Sequence, residues 1–276
     1  MIKRLIVTLF FLSLIPLYSI QWPIVEPELV DGFASPLETG VSHSIGLRGE
    51  GRSVVAYDEG ELIFWAPEGY GPGAEGSGVA VLEHKDGFRS CYGNLITEKS
   101  LDSRSFLREG ESLGVVPEGL RFSIRDSDLS CWVNPFFMFS AGEDGESPLV
   151  EEVLLEREGK ALVLTGNSSV PSGSYRLLVR ISDRMEDEGA LILPYSVKIR
   201  YLGQVHLSLT LDSLTIKDGI PYLGEDLLIK GEGLFTNEGY LDGGDIVINQ
   251  GKGLLEVEVA DYWGNRTTRS YSLNRR

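Results

Sequence analysis

The sequence predicts an all-β protein, and three observations carry that expectation. Short runs alternate apolar and polar residues with a period of two, helical periodicity is nearly absent, and glycines in Asp-Gly or Glu-Gly pairs punctuate the runs at hairpin spacing. In chain order the alternating runs are Ser53–Ala56, Leu62–Trp65, Val79–Glu83, Leu162–Leu164, Leu177–Ile181, Ser196–Arg200 and Leu254–Val259.

Ahead of these runs, Lys3 and Arg4 precede an apolar stretch from Leu5 to Leu17, followed by Tyr18 and Ser19. A basic start, a short apolar run and a small residue at a cut site predict a signal peptide over residues 1–19. The alternative, a membrane anchor, wants roughly 20 apolar residues, and this run is shorter. The expectation is an exported chain, periplasmic or extracellular, with no stable membrane insertion after cleavage. No cysteine stands at the cut site to mark a lipoprotein.

The chain has 25 basic and 41 acidic residues and a net charge of −16. Losing residues 1–19 removes Lys3 and Arg4 and no acid, which leaves 23 basic residues against 41 acidic, or −18. Such a surface repels phosphate backbones and anionic head groups, so nucleic acid and lipid surfaces are poor partners. Cys91 and Cys131 are the only two cysteines. In an exported chain an even pair suggests a disulfide, and two buried free thiols are the alternative.

The 276 residues suit two or three domains. Residues 20–35 read as a lead segment and 36–140 as the first domain. The small, acidic, turn-rich stretch from Ser140 to Pro148 reads as a linker, placed at 141–149. Beyond it the chain echoes itself. Leu177, Val179 and Ile181 lead to Asp183, and Leu255, Val257 and Val259 lead to Asp261. The expectation is two β units, 150–202 and 203–276, although residues 150–276 as one domain, or a chance echo, stays open. The close Asp261-Tyr262-Trp263-Gly264-Asn265 resembles the "D-x-x-GN" ending of immunoglobulin-like bacterial modules, which implies one or two Ig-like β-sandwich units.

Residues 36–139 resemble the LytM/lysostaphin family of zinc endopeptidases. Ser53–Ala56 followed by Glu59-Gly60-Glu61-Leu62 looks like that family's first hairpin. Gly76 through His84 to Gly87 looks like its "GyG-x-x-V-x-i-x-H-x-x-G" strand, and Tyr92-Gly93-Asn94-Leu95 stands where the family has "Y-x-H-L". Glu109 to Gly114 resembles its "x-G-x-x-I-G" turn, Leu120-Arg121-Phe122 falls at "H-L-H-F", and Asn134-Pro135 matches the closing "NP". The resemblance implies an antiparallel β-sheet domain of the duplicated-hybrid-motif type, built to cut peptidoglycan peptides.

That chemistry needs a tetrahedral zinc held by two histidines and an aspartate, with a water in the fourth position and two more histidines beside it. Against "H-x-G-x-D" the chain offers His43-Ser44-Ile45-Gly46-Leu47-Arg48. With Gly46 setting the register, Ser44 and Arg48 replace the ligands; with His43 setting it, Leu47 replaces the aspartate. The "H-L-H" histidines are replaced by Gly119 and Arg121, and Asn94 replaces the histidine of "Y-x-H-L". An arginine at a ligand position opposes a bound dication. The resemblance therefore implies a pseudoenzyme with no cofactor and no metal. Its cleft would be lined by His43, Arg48, His84, Tyr92, Asn94 and Arg121, and would bind peptidoglycan or a partner cell-wall hydrolase.

Two other readings stay open. One is an active peptidase with a displaced zinc site using His43, His84 and Asp58 or Glu61; the other is a structural spacer in an envelope assembly. His84 and His206 read as structural. No G-x-S-x-G frames a nucleophile, the glycines of 69–78 form no phosphate loop, and a glycosidase-like acid pair cannot be located.

Overall fold

The computed structural model describes residues 22–38, 40–67, 78–139, 145–184, 190–224, 229–249 and 251–274. The expected signal peptide, the glycines of 69–77 and the start of the linker lie outside the described residues. Apart from two short 3-10 turns, the regular elements are β-strands, as the alternation predicts.

Alternation decides which face of each strand is buried. In Gly119–Asp126, Leu120, Phe122 and Ile124 are no more than 1% exposed, while Arg121 between them is open to solvent. Burying each such side chain contributes about 1.5–3 kcal/mol. The hairpin turns follow their glycines. Glu158-Gly159 and Asp218-Gly219 both sit at positive φ, between paired Arg157 and Lys160 and between paired Lys217 and Ile220. A two-residue turn with both central residues left-handed matches the twist of the strands it joins.

The first half builds one large sheet. Its main path runs through Gly60–Ala66, Gly78–Glu83, Phe88–Thr97, Gly119–Asp126 and Cys131–Val133, all antiparallel. Ile45–Arg48 also pairs with Gly119–Asp126, and Glu28–Asp31 pairs with Ile45–Arg48. The segment expected to be a lead is thus part of this domain: Ile24 is fully buried, and Trp22 stacks on Phe139 at 4.2 Å.

The second half forms a sandwich of two five-stranded sheets. One centres on Gly173–Arg184, the other on Gly253–Ala260. The echo between Leu177-Val179-Ile181 and Leu255-Val257-Val259 belongs to these two central strands, and all six side chains face one interior with no more than 8% exposure. This corrects the expected break near 202. Gly173–Arg184 pairs with Leu241–Ile248, and Ser196–Tyr201 pairs with Gly253–Ala260, so both sheets cross that boundary. The repeat marks two layers of one sandwich, because each central strand needs the same apolar face.

A second departure from the expected boundaries joins the halves. The strands Ser213–Lys217, Ile220–Leu223 and Ile229–Lys230 leave the sandwich and extend the first half's sheet, pairing Trp132 with Leu214 and Val133 with Ser213. At the crossing Asn134 is fully buried. Its amide donates to the Leu211 carbonyl at 2.7 Å and to Tyr262 Oη at 2.8 Å, and its side-chain oxygen accepts from Phe136 N. Phe136, Phe137, Tyr195 and Tyr262 pack around it edge to face or tilted.

Candidate functional site

The side chains opposite the first half's core form an open sheet face. Register brings the suspected positions together on it: Gly119 lies opposite Arg48, and Arg121 lies opposite Gly46 on one side and Gly93 on the other. The result is a glycine-floored strip crossed by two arginines. Arg48, Gly119, Arg121 and Gly93 thus lie side by side on three adjacent strands.

Neither arginine is free. Arg48 Nη1 donates to Glu28 Oε1 at 2.5 Å, and Arg121 Nη1 donates to Asp31 Oδ1 at 2.5 Å. Gly46 makes the second pair reachable. A Cβ at residue 46 would stand 2.7 Å from Asp31 Oδ2, so only a glycine lets Asp31 reach across that strand to Arg121. These acids were invisible to the motif comparison, since Asp31 and Arg121 are 90 residues apart. The segment reads Glu28-Leu29-Val30-Asp31, which sets the two acids on opposite faces of a regular strand, and only the bulge between Leu29 and Asp31 brings both to the open side.

Asn94 joins the strip through its backbone role. It is the bulged residue of its strand, at φ 63, because Gly78 pairs with Leu95 while Val79 pairs with Gly93. Asparagine tolerates that left-handed conformation, and its amide donates to the Gly119 carbonyl. Ser44 is held in a local turn in which its backbone N donates to Ser42 Oγ at 3.2 Å.

Two expected cleft residues do not line it. Tyr92 is fully buried on the core face, where its hydroxyl accepts from Tyr57 N at 2.9 Å and burial pushes its phenol pKa up. His84 is 4% exposed, with Nδ1 donating to the Glu59 carbonyl at 2.9 Å and Nε2 2.8 Å from Ser90 Oγ. Strand parity places both inward, and the motif comparison carried no parity. His43 lies on the open side, its ring 4.4 Å from that of Trp132.

The residues named for a displaced zinc site do not come together here. Both ring nitrogens of His84 are engaged, His43 stands on a different element, and Asp58 caps its own turn by accepting from Glu59 N at 2.7 Å. Among the described residues no three His, Cys, Asp or Glu side chains converge as a metal site. Of the two readings of the cysteines, the free thiols hold. Cys91 pairs with Ser123 and Cys131 with Asp126, so the Gly119–Asp126 strand separates them, and both thiols are free. Strands two apart are about 9.5 Å from each other, beyond the reach of a disulfide. Burial pushes both thiol pKa values up, which makes them poor nucleophiles.

The sandwich carries its own polar device. Asp261, 2% exposed, accepts from Trp263 N and Asn265 N at 2.8 Å each and from Asn265 Nδ2 at 2.7 Å, closing the turn read from the sequence. A shallow cleft of about 480 Å³ between the sheets is lined by Glu151, Glu152, Thr165, Arg269 and Tyr271.

Fold and face together define a two-part all-β protein whose open sheet face offers paired charges, with no cluster of three His, Cys, Asp or Glu side chains among the described residues. A family model for an uncharacterised protein family matches residues 147–276, just under half of the chain, and its span coincides with the sandwich half. No curated protein matches the chain.

Proposed function

We propose that this is a non-catalytic, exported cell-envelope protein whose first half is a degenerate LytM-like domain that binds the peptide carboxylates of peptidoglycan or the acidic surface of a partner hydrolase. The supporting observation is the glycine-floored strip, where Arg48 and Arg121, the residues that the resemblance sets at ligand positions, point to solvent. Their ion pairs are surface pairs: the Arg48 and Arg121 side chains are 56% and 51% exposed. Such pairs contribute roughly 0–1 kcal/mol, so an incoming carboxylate can exchange with Glu28 or Asp31 at little cost. Arginine binds carboxylates in a bidentate fork, which suits stem peptides.

The test is co-sedimentation of the chain lacking residues 1–19 with purified sacculi. Retention is expected, weakened severalfold by Arg121→Ala and strengthened by Asp31→Asn, which frees Arg121. No retention by any of the three proteins sinks the binding reading. Zinc near zero per chain after loading and desalting is also expected, and one zinc per chain would overturn the pseudoenzyme.

The spacer reading has an observation of its own, since the strip is occupied by the chain's own Glu28 and Asp31. It would take over if Asp31→Asn left sacculus retention at zero.

A further inference from the structure

Unequal strand lengths leave the sandwich open along one side. Lys160–Val163 pairs with residues 154–157 of the nine-residue strand Leu149–Arg157 and then stops. One further bond continues the pairing, from Leu164 N to the Val153 carbonyl at 2.8 Å. The chain next crosses to the other sheet through Thr165 and Gly166, and the Gly166 carbonyl accepts from Ser272 N at 2.9 Å. The cleft of about 480 Å³ lies along this gap, lined by both sheets and by the crossing. Its volume falls within the roughly 300–1,000 Å³ of small-ligand sites.

Each sheet sends one charge into the cleft. In Arg266–Asn274, Tyr271 and Leu273 face the interior at 5% and 1% exposure, and Arg269 shares their parity. Its register partner Val257 is fully buried on the same face. Arg269 therefore looks between the sheets, and it stays exposed because the cleft opens in front of it. From the other sheet comes Glu151, the extra residue of a bulge between Val150 and Glu152. A bulge takes a side chain out of regular alternation and re-aims it, a device common beside binding sites.

These two charges do not neutralise each other. Glu151 accepts from the Ser182 hydroxyl through one oxygen, and Arg269 has the Tyr271 hydroxyl as its neighbour. Among the described residues neither forms an ion pair. Glu152 is engaged otherwise, since the Tyr240 hydroxyl donates to it and Arg180 lies opposite it in register. On the strip of the first half, Arg48 and Arg121 each have an acid; here an acid and an arginine line one cleft and stay apart. Such a cleft is complementary to a molecule that carries both charges at its two ends. Val163, 51% exposed, adds an apolar patch to its lining.

We propose that this cleft binds a short zwitterionic peptide, its amino group on Glu151, its terminal carboxylate on Arg269 and small apolar side chains against Val163. Three extended residues span about 10 Å. A charge-assisted hydrogen bond at each end supplies affinity, and the opposite signs fix the direction in which the peptide lies. The site falls wholly within residues 147–276 and uses nothing from the arginine strip.

Trialanine titrated calorimetrically into the chain lacking residues 1–19 is expected to bind with a Kd below about 1 mM. Glu151→Gln and Arg269→Gln should each weaken it about tenfold. Both side chains are exposed, so circular dichroism should stay unchanged. Blocked peptides identify the contacts. N-acetylated trialanine should bind about tenfold more weakly and lose nothing further in Glu151→Gln, while trialanine amide should behave the same way towards Arg269→Gln. No binding up to about 10 mM, equal binding of free and blocked peptides, or variants that weaken all three peptides alike each overturn the proposal. Arg121→Ala, which should weaken sacculus retention, is expected to leave trialanine binding unchanged; a loss there would place the peptide on the strip and also overturn it.

Discussion

The two halves use carboxylates in opposite ways. In the sandwich, Asp261 is withdrawn from water and satisfied by three donors within four residues of itself. In the first half, Glu28 and Asp31 reach to arginines 20 and 90 residues away and stay at the surface. A buried polar group is a structural commitment, since each partner left unsatisfied costs about 1–3 kcal/mol. An exposed pair is close to neutral and therefore exchangeable. Burial, rather than the presence of charge, separates what holds this molecule together from what it can offer a ligand.

The sharpest way to break that contrast is at the joint between the halves. Asn134→Ala strands the Leu211 carbonyl, the Tyr262 hydroxyl and Phe136 N, and should cost about 3 kcal/mol or more in urea unfolding. A loss under about 1 kcal/mol would mean that the joint does not couple the halves. Asp261→Ala should cost about 2 kcal/mol, read as a lower melting temperature, because its turn is short and its donors can partly turn to water.

Glu258 lies between these extremes. Arg200 Nη1 donates to it at 2.9 Å and Arg266 at 3.2 Å, and the hydrogen bond from Arg200 holds its pKa below the ordinary carboxylate range. A depressed folded-state pKa gives stability that is complete above the unfolded value of about 4.3 and disappears as pH falls through the folded value. Glu258→Gln should therefore lower the melting temperature slightly at pH 7 and leave it unchanged well below pH 4.3; a larger effect in acid would contradict the assignment. The smallest expected effect is that of reductant. Removing a native disulfide costs about 2–5 kcal/mol, whereas a reducing agent should not move the melting temperature of this chain at all.

Much of this architecture is legible in the sequence because it depends on local period. The alternating trios at 177–181 and 255–259 became central strands, and the Asp261 turn formed as its spacing implied. Residues 48, 119 and 121 met because the strands Ile45–Arg48 and Gly119–Asp126 pair antiparallel, a partnering that no local pattern announces. What failed depended on parity or on long range. Parity puts Tyr92 in step with buried Ser90, and His84 in step with buried Ala80 and Leu82, so both went to the core although their motif suggested a cleft. The 213–230 hairpin carries the same alternation wherever it pairs, and no local signal says that it belongs to the other half's sheet. The sequence left the cysteine pair open for a related reason: evenness of number says nothing about a strand standing between.

That hairpin also sets an order of events. A chain emerging from its amino terminus has made every strand of the first sheet up to Cys131–Val133 long before residues 213–230 exist, so that strand waits with its outer edge bare. The first half is therefore not a removable module. Cutting the chain in the 141–149 stretch would leave one product with an open edge and the other with three strands that have lost their sheet.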